Sequence, residues 1–204
     1  MPVIVKICGV RTPDDARAAV DAGADLLGLN FHPPSPRCLD LETARRIAAA
    51  VPRTPLVGVF VDAPRERVAA LADAVGLAML QFHGDEPPDH CAGWDRPVVK
   101  ALRARPGDDL PARAAAYSTI DYLLLDSWLA GVPGGTGIPI DPEAARGLDP
   151  ARLFVAGGLG PDTVVEVVRR LRPYGVDVAS GVERAPGVKD HGKIQEFVRR
   201  AKAA

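Results

Sequence analysis

Residues 3–31, VIVKICGVRTPDDARAAVDAGADLLGLNF, set the pattern for the chain. This stretch begins with an apolar run, Val3–Ile7, and ends with another, Leu26–Phe31. Between the two, Thr12 precedes a proline and two aspartates, a typical helix start in which a hydroxyl caps free N–H groups and acids favour the helix dipole. Gly23 is typical of a helix end. The stretch therefore predicts a strand, a helix and a second strand.

The same alternation continues to the end of the chain. Each further short apolar run is followed by a charged, alanine-rich stretch of helical period. These runs are Leu56–Val61, Leu77–Phe82, Val98–Leu102, Tyr122–Leu125, Leu153–Ala156 and Val176–Ala179. Strands of this composition suit a parallel sheet that is covered by helices. Eight strand–helix units in a row predict a (β/α)8 barrel.

No linker, low-complexity run or change of composition divides the chain, so we expect one barrel domain over residues 1–204. An open, doubly wound sheet is the alternative. That fold would need a GxGxxG turn after the first strand, where this chain has Cys8-Gly9-Val10-Arg11. We interpret the glycine- and proline-rich segment Trp128–Ile140 as a mobile loop of the active site. The α/β class and the TIM-barrel architecture are therefore predicted.

The composition argues against several kinds of partner. A net charge of −1 and an aromatic content of 5% offer no basic surface for nucleic acid or an anionic membrane, and few rings for base stacking. Cys8, Cys38 and Cys91 form an odd, widely spaced set, which favours a reducing compartment over a disulfide framework. The amino-terminal apolar run is too short for a signal peptide. We expect a cytoplasmic protein with neither a nucleic-acid nor a membrane partner.

In such a barrel the active site lies at the carboxyl ends of the strands. Asp126 ends an otherwise apolar strand, where an unused carboxylate would be costly, although a helix cap or a loop salt bridge remains an alternative. Cys8 is either a small buried apolar residue or a reactive group beside a flexible glycine. Lys6 and Lys100 lie inside strands and are expected to point into the barrel together with Cys8, because side chains alternate.

Glycines follow the last two predicted strands, as Gly157-Gly158 and as Ser180-Gly181. Loops at these two places commonly form the phosphate site of such barrels. Glycine allows backbone N–H groups to approach phosphate oxygens closely, and a helix dipole adds a favourable field. A glycine pair by itself usually indicates only a turn, but the two together predict an anion site.

Arg37 follows several prolines in the loop after the second strand. These prolines stiffen the loop and could aim the guanidinium over the barrel mouth, where it would match a carboxylate with two parallel hydrogen bonds. A solvated loop arginine is the alternative. His83, His90 and Cys91 lie close in sequence, but their spacing matches no metal-ligand signature. We therefore predict neither a metal nor another cofactor.

Motifs along almost the whole chain resemble those of the phosphoribosylanthranilate isomerases. These motifs are Val5–Gly9, Ser35–Arg37, Val57–Val61, Gln81–Glu86, Leu124–Asp126, Gly134–Gly137, Ala156–Leu159, Val176–Glu183 and Pro186–Asp190. Their occurrence together, in order and at barrel-loop positions, makes the resemblance specific. It implies a small phosphosugar substrate and an Amadori rearrangement in tryptophan biosynthesis, in which N-(5-phosphoribosyl)anthranilate becomes 1-(2-carboxyphenylamino)-1-deoxyribulose 5-phosphate.

The resemblance also implies roles for individual residues. The cysteine base and the aspartate acid of the family correspond to Cys8 and Asp126, and this chemistry would need the pKa of the thiol to be lowered. Arg37 would hold the anthranilate carboxylate, and the two glycine turns would hold the phosphate. His83 and Asp177 would be further members of the pocket.

Three departures from the family pattern accompany the resemblance. Cys38 stands where a tyrosine is usual, Ile140–Pro142 where an aromatic-Asp-Trp triplet is usual, and Gly160 where an asparagine is common. The first two put substrate affinity and loop closure in doubt. We expect a monomer or a homodimer.

Two other functions compete with this one. The first is a different phosphosugar enzyme on the same barrel, but histidine-pathway relatives have an aspartate where this chain has Cys8, and metal-dependent epimerases need convergent histidines. The second is a non-catalytic binder of phosphorylated ligands. Retention of both Cys8 and Asp126 argues against it.

Overall fold

The computed structural model describes residues 2–105, 107–127 and 145–204. The predicted mobile loop Trp128–Ile140, and with it the motifs Gly134–Gly137 and Ile140–Pro142, lies outside the described residues. Within the described part of the chain, no helix has both the length and the apolar character needed to cross a membrane.

Eight parallel strands pair in chain order and close into a barrel, as the sequence predicted. The strands are β1 (Ile4–Cys8), β2 (Leu26–Asn30), β3 (Leu56–Phe60), β4 (Met79–Phe82), β5 (Val98–Ala104), β6 (Tyr122–Ser127), β7 (Leu153–Val155) and β8 (Gly175–Val178). Closure depends on β1, which pairs with β2 on one side and with β8 on the other. This pairing aligns Lys6 with Asp177 across the β1–β8 seam.

Within the described residues, an α-helix follows each of these strands except β6, and the helices cover the barrel. They are α1 (Pro13–Asp21), α2 (Leu41–Ala50), α3 (Arg65–Val75), α4 (Pro88–Cys91), α5 (Leu110–Ala115), α6 (Val164–Leu171) and α7 (His191–Lys202). The predicted start of α1 is confirmed, because the Thr12 hydroxyl accepts a hydrogen bond from the Asp15 N–H at 3.1 Å. A short antiparallel hairpin of β9 (Glu183–Ala185) and β10 (Val188–Lys189) precedes α7.

Two layers of apolar side chains follow from the alternation along each strand. Outward residues such as Ile7 and Leu27 pack with helix residues such as Ile47 in one cluster. Inward residues form a second cluster without helix residues: Leu26, Val57, Val99, Ala101, Leu124, Phe154 and Ala156. The amino end of the barrel is thus a filled core, which leaves the carboxyl end for polar side chains.

The expectation that both strand lysines point inward is confirmed for Lys6 and wrong for Lys100. Lys100 lies outside the barrel, because it alternates with Val99 and Ala101, both members of the inner cluster. Its ammonium donates to Glu86 Oε2 at 2.6 Å and to the Gly84 carbonyl at 2.7 Å. The inward residues of β1 do not determine which residues of β5 point inward. That orientation follows from the apolar residues of β5 itself.

Candidate active site

A cavity of about 470 Å³ opens at the carboxyl ends of the strands. Of the nine predicted site residues, eight line it: Cys8, Arg37, His83, Asp126, Gly157, Gly158, Asp177 and Ser180. The ninth, Gly181, packs against the turn after β7, where a Cβ atom would lie 1.8 Å from the Leu159 carbonyl oxygen. Gly181 therefore brings the two glycine turns together and does not line the cavity itself.

Cys8 is the last residue of β1, faces inward and is only 8% exposed. Gly28 on β2 leaves room for it, since a Cβ there would lie 2.8 Å from Cys8 Sγ and 3.1 Å from Lys6 Nζ. Lys6 Nζ donates to Asp177 Oδ1 at 2.9 Å, and both residues are buried. The thiol therefore lies beside a buried ion pair.

The surroundings of the thiol overturn the expectation of a lowered pKa. Burial raises the pKa of Cys8, and the negative charge of Asp177 raises it further, while Lys6 and Lys189 act in the opposite direction. For Lys6, burial acts to lower the pKa, but Asp177 and Cys8 together raise it. Sequence reasoning had placed Cys8 at a strand end and could not weigh its desolvation.

Asp126 lies at the end of a chain of three polar side chains. His83 Nε2 lies 3.1 Å from Asp126 Oδ2, and Gln81 Nε2 lies 2.9 Å from His83 Nδ1. When the Gln81 amide donates to Nδ1, a neutral His83 carries its proton on Nε2 and donates it to the carboxylate. Within the described residues, the contact with His83 engages Oδ2 and leaves Asp126 Oδ1 available to a ligand, and the carboxylate is paired with a side chain of the cavity.

Arg37 is held in place, contrary to the alternative of a solvated loop residue. Its Nε and Nη2 donate to the two carboxylate oxygens of Glu183, each at 2.7 Å. Glu183 is buried and also accepts from Lys189 Nζ at 3.0 Å and from the Gly187 N–H at 3.2 Å. Although burial acts to raise the pKa of Glu183, Arg37 and Lys189 lower it. The outer edge of the guanidinium, Nη1 with the second N–H of Nη2, remains for a second carboxylate.

The glycine turn after β7 adopts a conformation that most residues avoid. Gly157 and Gly158 have φ values of 78° and 63°, in the left-handed region that favours glycine. A Cβ at Gly157 would lie 2.2 Å from Ser127 Oγ. Thr163 fixes the following turn, because its Oγ1 accepts from the Gly160 N–H at 2.9 Å. The two turns form one continuous wall of the cavity, as a phosphate site would require.

Several polar residues of the cavity were not singled out as site residues from the sequence. Gln81 and Arg103 point inward, in phase with His83 and Ala101, so alternation counted within each strand could have found them. Glu183 and Lys189 belong to the hairpin after β8, and only their contact with Arg37 relates them to the site. Within the described ranges, no group of three or more His, Cys, Asp or Glu side chains could hold a metal ion.

Comparison with known sequences gives a consistent result over the whole chain. The model of the N-(5'phosphoribosyl)anthranilate (PRA) isomerase family matches residues 5–200. The N-(5'-phosphoribosyl)anthranilate isomerase of Pseudomonas fluorescens is 47% identical over 195 residues, which are 95% of each chain. The enzyme of the same name from Thiobacillus denitrificans is 48% identical over 205 residues and 100% of each chain.

Solved structures agree with the sequence matches. Phosphoribosyl anthranilate isomerase from Thermus thermophilus is 37% identical with a TM-score of 0.87, over 98% of this chain and 99% of that one. A phosphoribosyl anthranilate isomerase in complex with reduced 1-(o-carboxyphenylamino)-1-deoxyribulose 5-phosphate is 36% identical, also with a TM-score of 0.87, over 99% and 100%.

Proposed function

The chain belongs to the N-(5'-phosphoribosyl)anthranilate (PRA) isomerase family and isomerises PRA in tryptophan biosynthesis, and we propose that Cys8 and Asp126 transfer the protons. The observation that carries this proposal is that a thiol and a carboxylate face one cavity from strands separated by β7 and β8. A sugar between them is within reach of an acid on one side and a base on the other. The reaction is an Amadori rearrangement.

Asp126 acts first in this scheme, as the general acid. Protonation of the furanose ring oxygen breaks the C1–O bond and gives an open-chain Schiff base. His83 contacts Asp126 Oδ2, so the other oxygen, Oδ1, carries the transferred proton. A positioned proton donor of this kind is worth about 10²–10⁴-fold in rate. His83 thus acts as a positioning residue for the acid.

Cys8 acts second, as the general base. Its thiolate removes the proton from C2 of the Schiff base, and the resulting enolamine tautomerises to the ketone. The raised pKa of Cys8 reduces the thiolate fraction in the empty site, and it also makes the thiolate a stronger base once formed. Burial and the neighbouring charges together therefore set how much active base is present.

Two separate parts of the cavity bind the two ends of the substrate. We propose that the turns at Gly157-Gly158 and Ser180-Gly181 bind the phosphate through backbone N–H groups. The outer edge of Arg37 takes the anthranilate carboxylate with two parallel hydrogen bonds. Asp177, at the cavity wall beside Cys8, faces the sugar between these anchors.

We further propose that residues 1–204 form one barrel domain that works as a monomer or homodimer in the cytoplasm. A solved structure of monomers generated from the dimeric phosphoribosylanthranilate isomerase of Thermotoga maritima, 35% identical, bears on both assembly states. The three unpaired cysteines are compatible with a reducing compartment. Analytical ultracentrifugation of the purified chain would decide between the two assembly states.

The test of the function is an assay with PRA generated in situ, because the substrate is labile, followed by the loss of anthranilate fluorescence. We expect turnover by the wild-type chain without added cofactor. Heat-denatured protein is the control for spontaneous decay of the substrate, because it does not depend on the proposed role of any residue. A fluorescence change no faster than that control would contradict the proposed function.

A further inference from the structure

The proposed proton transfers do not use the buried ion pair of Lys6 and Asp177, which lies next to the Cys8 thiol. We propose that this pair controls the ionisation of Cys8, with the Lys6 ammonium stabilising the thiolate and Asp177 holding the ammonium in place. Lys6 would thereby be a positioning residue of the base. This inference rests on the proposed role of Cys8.

The geometry brings the three groups together by strand register. Lys6 and Cys8 are two residues apart on β1 and share its inward face, and Asp177 is the β8 partner of Lys6. Sγ and Nζ both lie close to the space left by the absent side chain of Gly28, because a Cβ atom there would be 2.8 Å from one and 3.1 Å from the other. The ammonium therefore lies next to the sulfur that must carry negative charge.

A purely structural role does not account for this pair. Lys6 and Asp177 are 1% and 6% exposed, so folding removes both charges from water. A buried ion pair is often no more stabilising than apolar residues of similar volume. The next inward layer of the same barrel consists of such apolar residues, for example Leu26 and Val57. The charges are placed at the level of the barrel that adjoins the thiol.

Among the residues that the structure describes, four charged side chains act on Cys8 from the elements around it. Lys6 comes from β1, Asp177 from β8, Lys189 from β10 and Arg37 from the loop after β2. Lys189 and Arg37 are both bound to Glu183, at 3.0 and 2.7 Å. Lys6 differs from these two cations because its carboxylate partner, Asp177, also acts on Cys8. Lys6 lowers the pKa of the thiol and Asp177 raises it, so the two members of this ion pair have opposite effects.

Because Lys6 and Asp177 have opposite effects on Cys8, their substitutions should shift its ionisation in opposite directions. A purely structural role of the pair does not predict this difference. In protein with Cys38→Ala and Cys91→Ala, Cys8 is the only thiol, and the pH dependence of its alkylation by iodoacetamide gives the midpoint of its ionisation. Lys6→Met should raise this midpoint by at least about one pH unit, because it removes the cation. Asp177→Asn should lower it, because the ammonium then has the thiolate as its anionic partner. General loosening of the barrel would move both variants in the same direction.

Lys6→Met leaves Asp177 buried without its cation, so it can fail to fold. The comparison of Asp177→Asn with the double variant Lys6→Met/Asp177→Asn avoids an unpaired carboxylate and isolates the charge of Lys6. The double variant should have the higher midpoint of the two. Equal midpoints, or a Lys6→Met midpoint that is unchanged or lowered, would overturn the proposal.

Lys100→Met is the matched control. Lys100 is also buried in an ion pair, with Glu86 at 2.6 Å, but it lies outside the barrel. The Lys100→Met substitution should leave the Cys8 midpoint unchanged. A shift equal to that of Lys6→Met would also overturn the proposal. Alkylation is measured without substrate and does not depend on turnover. The midpoint therefore tests the role of Lys6, whereas the turnover of Cys8→Ala tests the role of Cys8, and either role can fail alone. If both roles hold, the acidic limb of the kcat/KM profile of Lys6→Met, which reports ionisation of the free enzyme, moves to higher pH with the midpoint.

Discussion

The inward faces of the same strands differ between the two ends of the barrel. On β6, Tyr122 and Leu124 face the apolar amino end, and Asp126 faces the cavity two residues later. On β1 the series runs from Ile4 through Lys6 to Cys8. On each of these strands, an apolar side chain that packs in the core and a polar side chain of the site are thus only two residues apart. The amino end supplies the apolar burial that stabilises the fold, and the carboxyl end bears the desolvation cost of a reactive site.

The largest effect is expected at the carboxyl end. Cys8→Ala and Asp126→Asn should each lower kcat by about 10²–10⁴-fold, since each removes a positioned proton-transfer group. Steady-state kinetics with PRA generated in situ would measure the loss. The free energy of unfolding should change by no more than about 1 kcal/mol, because these residues belong to the catalytic face. Two folded variants with wild-type turnover would refute the acid–base assignment.

The opposite result is expected at the amino end. Phe154 is 1% exposed and packs edge-on against Tyr122 and Tyr174, with ring centroids 5.6 and 5.3 Å apart. Phe154→Ala should lower the free energy of unfolding by about 3–5 kcal/mol, from lost burial and the cavity left behind. Urea denaturation would measure this loss. Phe154→Leu, which retains more of the volume, is the control and should cost less. Equal stability of the alanine variant would remove the contrast between the two ends.

A smaller effect is expected where the cavity meets the loop after β2. Arg37→Ala should raise KM by about ten- to a hundredfold with little change in kcat, because its hydrogen bonds to a charged group act in ground and transition states alike. Arg17→Ala is a matched control, since Arg17 pairs with Asp14 on the exposed face of α1. The two variants would be compared over a range of PRA concentrations. A KM equal to that of the control would show that Arg37 serves only its contact with Glu183.

The smallest effect is expected at Gln81, which contacts Asp126 only through His83. Gln81→Met removes the hydrogen bond at 2.9 Å to His83 while keeping the size of the side chain. One such bond is worth about 1 kcal/mol, so kcat should fall by about fivefold. Gln195→Met on the exposed face of α7 serves as the control in the same kinetic assay. A loss as large as that of Asp126→Asn would mean that Gln81 does more than orient His83.

The fold and the placement of most site residues were predictable because both depend on local patterns. The apolar runs gave strands whose ends differ from the observed ones by no more than two residues. Strand ends then placed Cys8, His83 and Asp126 at one mouth. The orientation of Lys100 was not predictable by analogy with β1, because each strand has its own phase within the closed sheet.

Other features of the site depend on contacts between distant parts of the chain. Glu183 meets Arg37 across 146 residues, and no local pattern marks it as the partner of that arginine. The pKa of Cys8 reflects how deeply the thiol is buried and which charges surround it, and neither can be read from the motif in which it occurs. Sequence motifs located the reactive groups, and the assembled barrel determines their environment.

The seam between β1 and β8 also has a consequence for the newly made chain. Lys6 and Asp177 are 171 residues apart, so β1 leaves the ribosome long before the strand that completes its surroundings. Until β8 arrives, both β1 and β7 present open sheet edges, and the ammonium beside Cys8 has no carboxylate to meet. A chain that ends before β8 lacks both the strand that closes the barrel and the carboxylate that pairs with Lys6. Barrel closure and completion of this ion pair therefore depend on the same late segment of the polypeptide.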